Sequence, residues 1–258
     1  MSFDDVDPPQ PADTGVLIKI EAAGINYIDT YQRSIRIKWS PYRTAFHSTK
    51  ARRPCCRFVP RITCHNPPTP LRKGDSCLIH AAAGGVGLIL TQMAKNAGAT
   101  VISTVSTQEK AELARAAGAE EVILYCDTGF ETEVMPITYG AGVNVVYDSV
   151  GKTTFDKSIE CLQRFGYMVL YGNASGPVTE FNPATLGPKG SLFLTRPTLF
   201  DYTADRESLE WRSGDVFKWI DEGKLSLRLE HFFSLADAQE AHQALEGRKT
   251  TGKIILTP

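Results

Sequence analysis

The residues best suited to chemistry sit in one turn, Ala82–Ala83–Gly84–Gly85–Val86–Gly87. A glycine-rich turn that opens a helix aims unsatisfied backbone N–H groups and the positive end of the helix dipole at one point, which suits a pyrophosphate. Gly84 lets the backbone approach the phosphates, and Gly87 lets the helix pack tightly on the strand before it. The first glycine of the usual spacing is replaced by Ala82. Further on, Val105–Ser106–Thr107–Gln108–Glu109–Lys110 has no Asp or Glu near Ser106, where an NAD site bonds the ribose 2′-hydroxyl. Lys110 falls in the first turn of the next helix, a place the dipole disfavours for a cation unless an anion is near. The 2′-phosphate of NADP is such an anion. The alternative is a capping box between Ser106 and Glu109, with Lys110 solvated.

Other polar groups are placed to join such a site. Asp148 and Ser149 follow an apolar run, and Gly172 and Asn173 follow another. Asn26 and Tyr31 can hydrogen-bond a substrate or a nicotinamide, although taken alone ordinary turn and packing roles are the plainer reading. No Ser-His-Asp or paired-carboxylate constellation stands out. His47, Cys55, Cys56, Cys64 and His65 match no common zinc spacing.

The elements that must position these groups are legible from periodicity. Cys77 to His80 is a short buried strand. Val86, Ile89, Leu90, Met93, Ala94 and Ala97 form one apolar helix face, and Gly98 stands at the expected left-handed C-cap. Thr100 to Val105 is a second buried strand, so the turn lies in a βαβ unit, the context that supports the motif. The alternation continues with a helix over Gln108–Ala117, a strand over Glu121–Tyr125 and a short helix over Phe130–Met135 that Pro136 should end or kink. Val143–Tyr147 is a strand, Thr154–Arg164 a helix, and Tyr167–Tyr171 and Ser191–Thr195 are strands. Glu207–Asp221 reads as helix, Leu225–Phe233 as extended and Ala236–Leu245 as helix, before a closing apolar run from Lys253. Val16–Ala22 is strand-like. Strands alternating with helices predict a parallel sheet covered on both faces, with ligands beyond the strands' C-terminal ends. The turns at Gly84–Gly87, Ser106, Asp148–Ser149 and Gly172–Asn173 should therefore line one crevice.

Composition bounds the answer. A chain of 258 residues with 42% hydrophobic content can bury a full core, and a net charge of −1 makes no case for nucleic acid. No apolar run reaches the roughly 18 residues of a membrane helix. The acidic start and six scattered cysteines suggest a reducing cytoplasm. One segment is unusual: between Asp29 and Asp75 lie eleven Lys and Arg, six prolines and no acidic residue. Basic charge interleaved with aromatic residues there raises RNA binding as an alternative, and a loop-like insertion is the plainer reading.

HAAAGGVG (His80–Gly87), VVYDSVG (Val145–Gly151), YGNASG (Tyr171–Gly176), SLFLTRPTL (Ser191–Leu199), the ending GKIILTP and GINYIDTYQRS (Gly24–Ser34) together resemble the zeta-crystallin-like NADPH:quinone oxidoreductases of the medium-chain dehydrogenase superfamily. The resemblance implies an α/β fold, a doubly wound Rossmann sheet plus a GroES-like β-barrel catalytic domain that is truncated here. It implies a catalytic remnant over residues 1–71, with the atypical basic, proline-rich segment at 33–73. An NADPH-binding domain over 72–199 and a return to the catalytic domain over 200–258 follow. By motif matching, Gly84, Gly85 and Val86 hold the pyrophosphate, and Lys110, Tyr125 and Arg248 grip the 2′-phosphate. Asp148, Ser149, Gly172 and Asn173 line the cofactor crevice, and Asn26 and Tyr31 lie beside the nicotinamide and quinone. The Gly-His-Glu zinc motif is absent, which implies metal-free hydride transfer from NADPH to a quinone, in a homodimer joined through Ser191–Pro197. Enone or enoyl reduction, and NADPH binding without turnover, are the alternatives.

Overall fold

The computed structural model describes residues 10, 19–34 and 71–258 of the chain. The lead-in before residue 19 (Gln10 apart), the first part of the Val16–Ala22 strand and residues 35–70 of the basic segment lie outside the described residues. The candidate zinc ligands, and the basic stretch raised for RNA binding apart from Arg33, Arg72 and Lys73, therefore lie there too.

The chain divides into two units. The larger, residues 58–227, is organised by a six-stranded sheet in the order β4-β3-β2-β5-β6-β7. Its strands are β2 (Ser76–His80), β3 (Thr100–Val105), β4 (Glu121–Leu124), β5 (Val143–Asp148), β6 (Leu162–Leu170) and β7 (Phe193–Thr195), and every neighbouring pair is parallel. The helices are α2 (Gly85–Asn96), α3 (Gln108–Ala116), α4 (Phe130–Ile137), α5 (Phe155–Glu160), α6 (Leu199–Tyr202) and α7 (Arg206–Asp221). Alternate side chains along each strand enter two separate cores. Ile79, Val101, Val105, Val145 and Tyr147 pack with Leu90, Ala94, Ala111 and Ala114 on one face. Leu78, Ile102 and Val146 pack with Phe130, Val134, Phe155 and Ile159 on the other. Burying each large aliphatic side chain contributes about 1.5–3 kcal/mol. This is the doubly wound sheet expected from the alternating pattern. The order reverses between β2 and β5, so their C-terminal ends frame the crevice of the fold.

The second unit contains described residues 19–34 and 228–258. It pairs β1 (Ala23–Ile25) antiparallel with β9 (Lys253–Thr257), and β9 parallel with β8 (Leu229–Ser234). Helices α1 (Tyr27–Ser34) and α8 (Ala238–Glu246) accompany it. Ile25, Ala241, Ile254 and Leu256 form its small core.

Several local expectations are corrected. The first strand is Ala23–Ile25, because β9 offers partners from Leu256 back to Ile254, and residues 19–22 carry no strand. Pro136 does not end α4, which runs to Ile137. So near the terminus the proline removes only one ladder bond, and Thr138 still bonds the Val134 carbonyl through N–H (3.0 Å) and hydroxyl (2.8 Å). The helix expected to reach Arg164 stops at Glu160, because Cys161 O accepts from Val143 N (2.8 Å) and draws the chain into the sheet as β6. The extended stretch expected from Leu225 begins at Leu229. The division expected between residues 199 and 200 falls after 227, since the segment preceding β8 is wound onto α2. Gln92 exchanges two bonds with the Ser226 backbone (3.0 and 2.7 Å), and Asn96 donates to Lys224 O (2.7 Å).

Candidate functional site

The site begins where β2 runs into α2. Ala81 turns the chain with a φ of 53°, and Gly84 N donates to Ala81 O (3.0 Å). The first helical bond is Leu88 N to Gly84 O (3.0 Å), so the N–H groups of Gly85, Val86 and Gly87 lie in the orphan first turn. No side chain caps this helix, and its first turn holds no carboxylate. By contrast, Thr107 caps α3 and Asp205 caps α7. Gly87 is buried, and a Cβ there would lie 2.6 Å from Ala82 Cα and within the radius of Ala81 O. The tight helix–strand approach read from the sequence is therefore real. The donor set left open fits a diphosphate.

At the end of β3 the capping differs from the Ser106–Glu109 box. Thr107 is the N-cap and accepts from Lys110 N (3.3 Å). Ser106 is thereby released from capping, and its hydroxyl accepts from Lys110 Nζ (3.3 Å). Serine and ammonium thus stand together, and the Lys110 charge also acts on the neighbouring Glu109 carboxylate. Tyr125 follows β4, is exposed, and donates its N–H to Val105 O (3.2 Å).

The turns after β5 and β6 are stitched together. Gly172 N and Tyr171 N both donate to Asp148 O, and Ala174 N donates to Ser149 O (3.2 Å). A Cβ on Gly172 would lie 2.7 Å from Ser149 Cα, so only glycine lets these turns meet. Ser149 and Asn173 are partly exposed there. Asp148 behaves otherwise: its carboxylate is fully buried and points inward. Oδ1 accepts from Val150 N (2.6 Å) and Gly151 N (3.0 Å), and Oδ2 accepts from Thr154 Oγ1 (2.7 Å). Its side chain holds the turn that presents Ser149 and does not itself line the crevice. Registers pairing His80 with Thr104, Ile79 with Tyr147 and Asp148 with Leu170 align these strand ends in one row. Ser106, the Gly84–Gly87 turn, Ser149 and Gly172–Asn173 accordingly share one edge.

Sequence reasoning missed three residues below that row. His80 Nδ1 lies 2.9 Å from Thr104 Oγ1, its Nε2 2.9 Å from Ser158 Oγ, and Ser158 Oγ 3.4 Å from Asp148 Oδ2. All are buried. Ser, His and Asp thus come together after all, but the carboxylate meets the serine and not the imidazole, and no substrate can reach the hydroxyl. The available signal was a histidine inside an apolar buried strand. Burial lowers the His80 pKa from its ordinary value, with Asp148 opposing. The unfolded chain therefore takes up a proton first. The associated stability is complete above about pH 6.5 and is lost as pH falls below it. The melting temperature should drop between pH 7.5 and pH 5.5 by more in the native protein than in His80→Gln; equal drops would refute a His80 contribution.

Burial also raises the Cys161 thiol to about 12 and pushes Cys77 upward, so neither is a thiolate at neutral pH. Among the described residues, no three His, Cys, Asp or Glu side chains gather as a metal-ligand group.

The remaining candidates belong to the smaller unit. Asn26 joins β1 to α1. Its N–H donates to Asp29 Oδ2 (2.8 Å), and its side-chain oxygen accepts from the Lys253 ammonium, which turns its amide N–H₂ elsewhere. Tyr31 stands edge-on to Tyr27, with ring centroids 5.4 Å apart. Arg248 is exposed just beyond α8, held in the left-handed region at φ 57°. Burial raises the Tyr27 hydroxyl's pKa, and the Arg248 charge partly offsets that.

The strand order and the uncapped glycine turn define a dehydrogenase-type doubly wound unit, and the zinc-binding dehydrogenase family model matches residues 85–205. The quinone oxidoreductase of Salmonella typhimurium is 49% identical over 190 residues, covering 73% of this chain and 58% of that protein. A 2-haloacrylate reductase from Burkholderia sp. is 44% identical over 189 residues, covering 73% and 57%. A mycobacterial protein solved in complex with NADPH superposes with a TM-score of 0.87 at 35% identity, covering 99% of this chain and 95% of that one. The chain belongs to the quinone oxidoreductase family of medium-chain dehydrogenases/reductases. It spans somewhat less than three fifths of the length of the curated relatives it matches.

Proposed function

We propose that this chain is a zinc-independent NADPH:quinone oxidoreductase. The observation that carries the reading is the Ser106–Lys110 pair at the end of β3, beside the uncapped start of α2. The amides of Gly85 and Val86, approached over Gly84, hold the diphosphate. Ser106 and Lys110 bind the 2′-phosphate, with Tyr125 completing its grip. Ser149, Gly172 and Asn173 support the nicotinamide side, while Asp148 fixes their turn. In the smaller unit, Asn26 and Tyr31 are assigned hydrogen bonding to a bound carbonyl group. NADPH, when bound, supplies the hydride; the protein contributes position and exclusion of water. The zinc-free reading rests on the missing Gly-His-Glu motif.

The same reading includes a homodimer and a cytoplasmic location. Phe193 and Leu194 are exposed on β7, the edge strand within Ser191–Pro197, and this supports pairing with a second copy. No helix among the described residues is long and apolar enough to cross a membrane.

Titration with NADPH and NADH, followed by nicotinamide fluorescence, tests the cofactor, and adding a quinone to the same sample tests turnover. Lys110→Gln should weaken NADPH at least tenfold and leave NADH unchanged, since a charge-assisted bond is worth about 1.5–3 kcal/mol. Equal losses for both nucleotides would sink the 2′-phosphate role. The 2-haloacrylate reductase relative favours a second reading, reduction of a conjugated alkene. A panel setting quinones against haloacrylates and enones decides between them. NADPH binding with no turnover of any acceptor would leave a binding protein. Nucleotide-insensitive RNA binding would favour the basic segment instead.

A further inference from the structure

The buried chain beneath the crevice admits one arrangement of protons that satisfies every member. Thr154 and the Val150 and Gly151 amides already donate to Asp148, and the remaining group within reach of Oδ2 is the Ser158 hydroxyl. If Ser158 donates to the carboxylate, its oxygen must accept from His80 Nε2–H. A neutral imidazole then has a bare Nδ1, which accepts from the Thr104 hydroxyl. The opposite tautomer would turn the Ser158 proton toward His80 and set its lone pairs against the carboxylate. A doubly protonated ring would turn the Thr104 hydroxyl from donor to acceptor.

We propose that Thr104, His80, Ser158 and Asp148 form a one-way hydrogen-bond relay in which His80, as its neutral Nε2–H tautomer, is a positioning residue for the nucleotide-binding edge. The relay joins the end of β3, the strand that enters the glycine turn, α5 and the turn presenting Ser149. Three of the four segments that would touch a nucleotide are therefore set by one proton pattern. The groups facing His80 are few. Asp148 is the charged one, on β5; β3 presents only the Thr104 hydroxyl, α5 the Ser158 hydroxyl, and α4 the edge of the Phe130 ring, with centroids 4.7 Å apart. Glu131 and Lys157, next along α4 and α5, are paired with each other at 2.5 Å. A proton entering the ring thus has no carboxylate in hydrogen-bond contact, since Asp148 is linked to it through Ser158 and otherwise acts only by its charge. Polarised chains of this kind strengthen bond by bond, and one reversed member weakens the rest.

The part of the inference that concerns nucleotide rests on the proposed function; the relay itself does not. It is tested on the intact protein by nitrogen-resolved NMR of the histidine rings, with His80→Gln used to assign the signal, and by the pH dependence of the Val150 and Gly151 amides. The expected result is an Nε2–H ring that titrates below pH 6.5, with the two amide shifts moving at the same midpoint and no such movement in His80→Gln. An Nδ1–H ring, or amides that ignore the His80 titration, would overturn the relay. NADPH affinity is measured in parallel. Below the His80 midpoint the native protein should lose up to tenfold per pH unit beyond the loss seen in His80→Gln, a comparison that removes titration of the 2′-phosphate itself. Identical pH profiles would overturn the positioning role. If NADPH fails to bind at every pH, the proposed function falls and the positioning role falls with it, while the NMR result still decides the relay.

Discussion

Replacing Gly87 by alanine is expected to abolish nucleotide binding and to destabilise the chain by about 3 kcal/mol, the upper part of the range for forcing a group into filled space. The added Cβ would meet the backbone of Ala81 and Ala82, at 2.6 Å from Ala82 Cα, where no rotamer change brings relief. Either α2 moves off β2 or the turn at Ala81 opens, and both scatter the Gly85 and Val86 amides. Urea unfolding followed by circular dichroism measures the first effect, and NADPH titration the second. Unchanged stability would mean that the turn is not as closely packed as the geometry indicates. Gly84→Ala is the control: its Cβ would touch one atom, Ala81 O at 3.2 Å, with φ at −75°. Stability should change little there, so that any loss of affinity reports a closer approach to the ligand.

The second large effect is expected at Asp148. Alanine there leaves the Val150 and Gly151 N–H groups without their acceptor in a half-buried turn, while the Thr154 hydroxyl falls back on the Gly151 carbonyl (3.1 Å). Each orphaned buried group costs about 1–3 kcal/mol, so a total of about 3–5 kcal/mol follows once relaxation is allowed for. Asp148→Asn keeps one side-chain oxygen and should recover part of that stability. A variant as stable as the native chain would mean that the carboxylate is dispensable to the turn. Because Asp148 O also receives Tyr171 and Gly172, the damage should spread to the β6 turn. Faster amide exchange at Gly172 and Ala174 would show that spread.

The sequence alone determined the class of fold, and the reason is physical. Buried parallel strands must be apolar throughout, as at Leu78–Ile79 and Val145–Val146, and the helices between them must carry one apolar stripe, as α2 does. Gly87 was also legible, because a glycine at the start of a helix breaks a local rule that a close backbone approach justifies. Tertiary structure alone decided the rest. Gly172 could be read as part of a turn, but its packing against Ser149 depends on two strands meeting. Asp148 read as a crevice residue, and the fold turned it inward, since the nearest unsatisfied donors were the amides of its own turn. His80 showed only as a histidine inside a buried strand, with its Thr104 partner 24 positions on, and Ser158 and Lys253 carried no local signal, because His80 and Asn26 lie 78 and 227 positions away along the chain. Periodicity reports which face of an element is buried. It does not report which polar atom waits on the far side, and that pairing exists only once the sheet has formed.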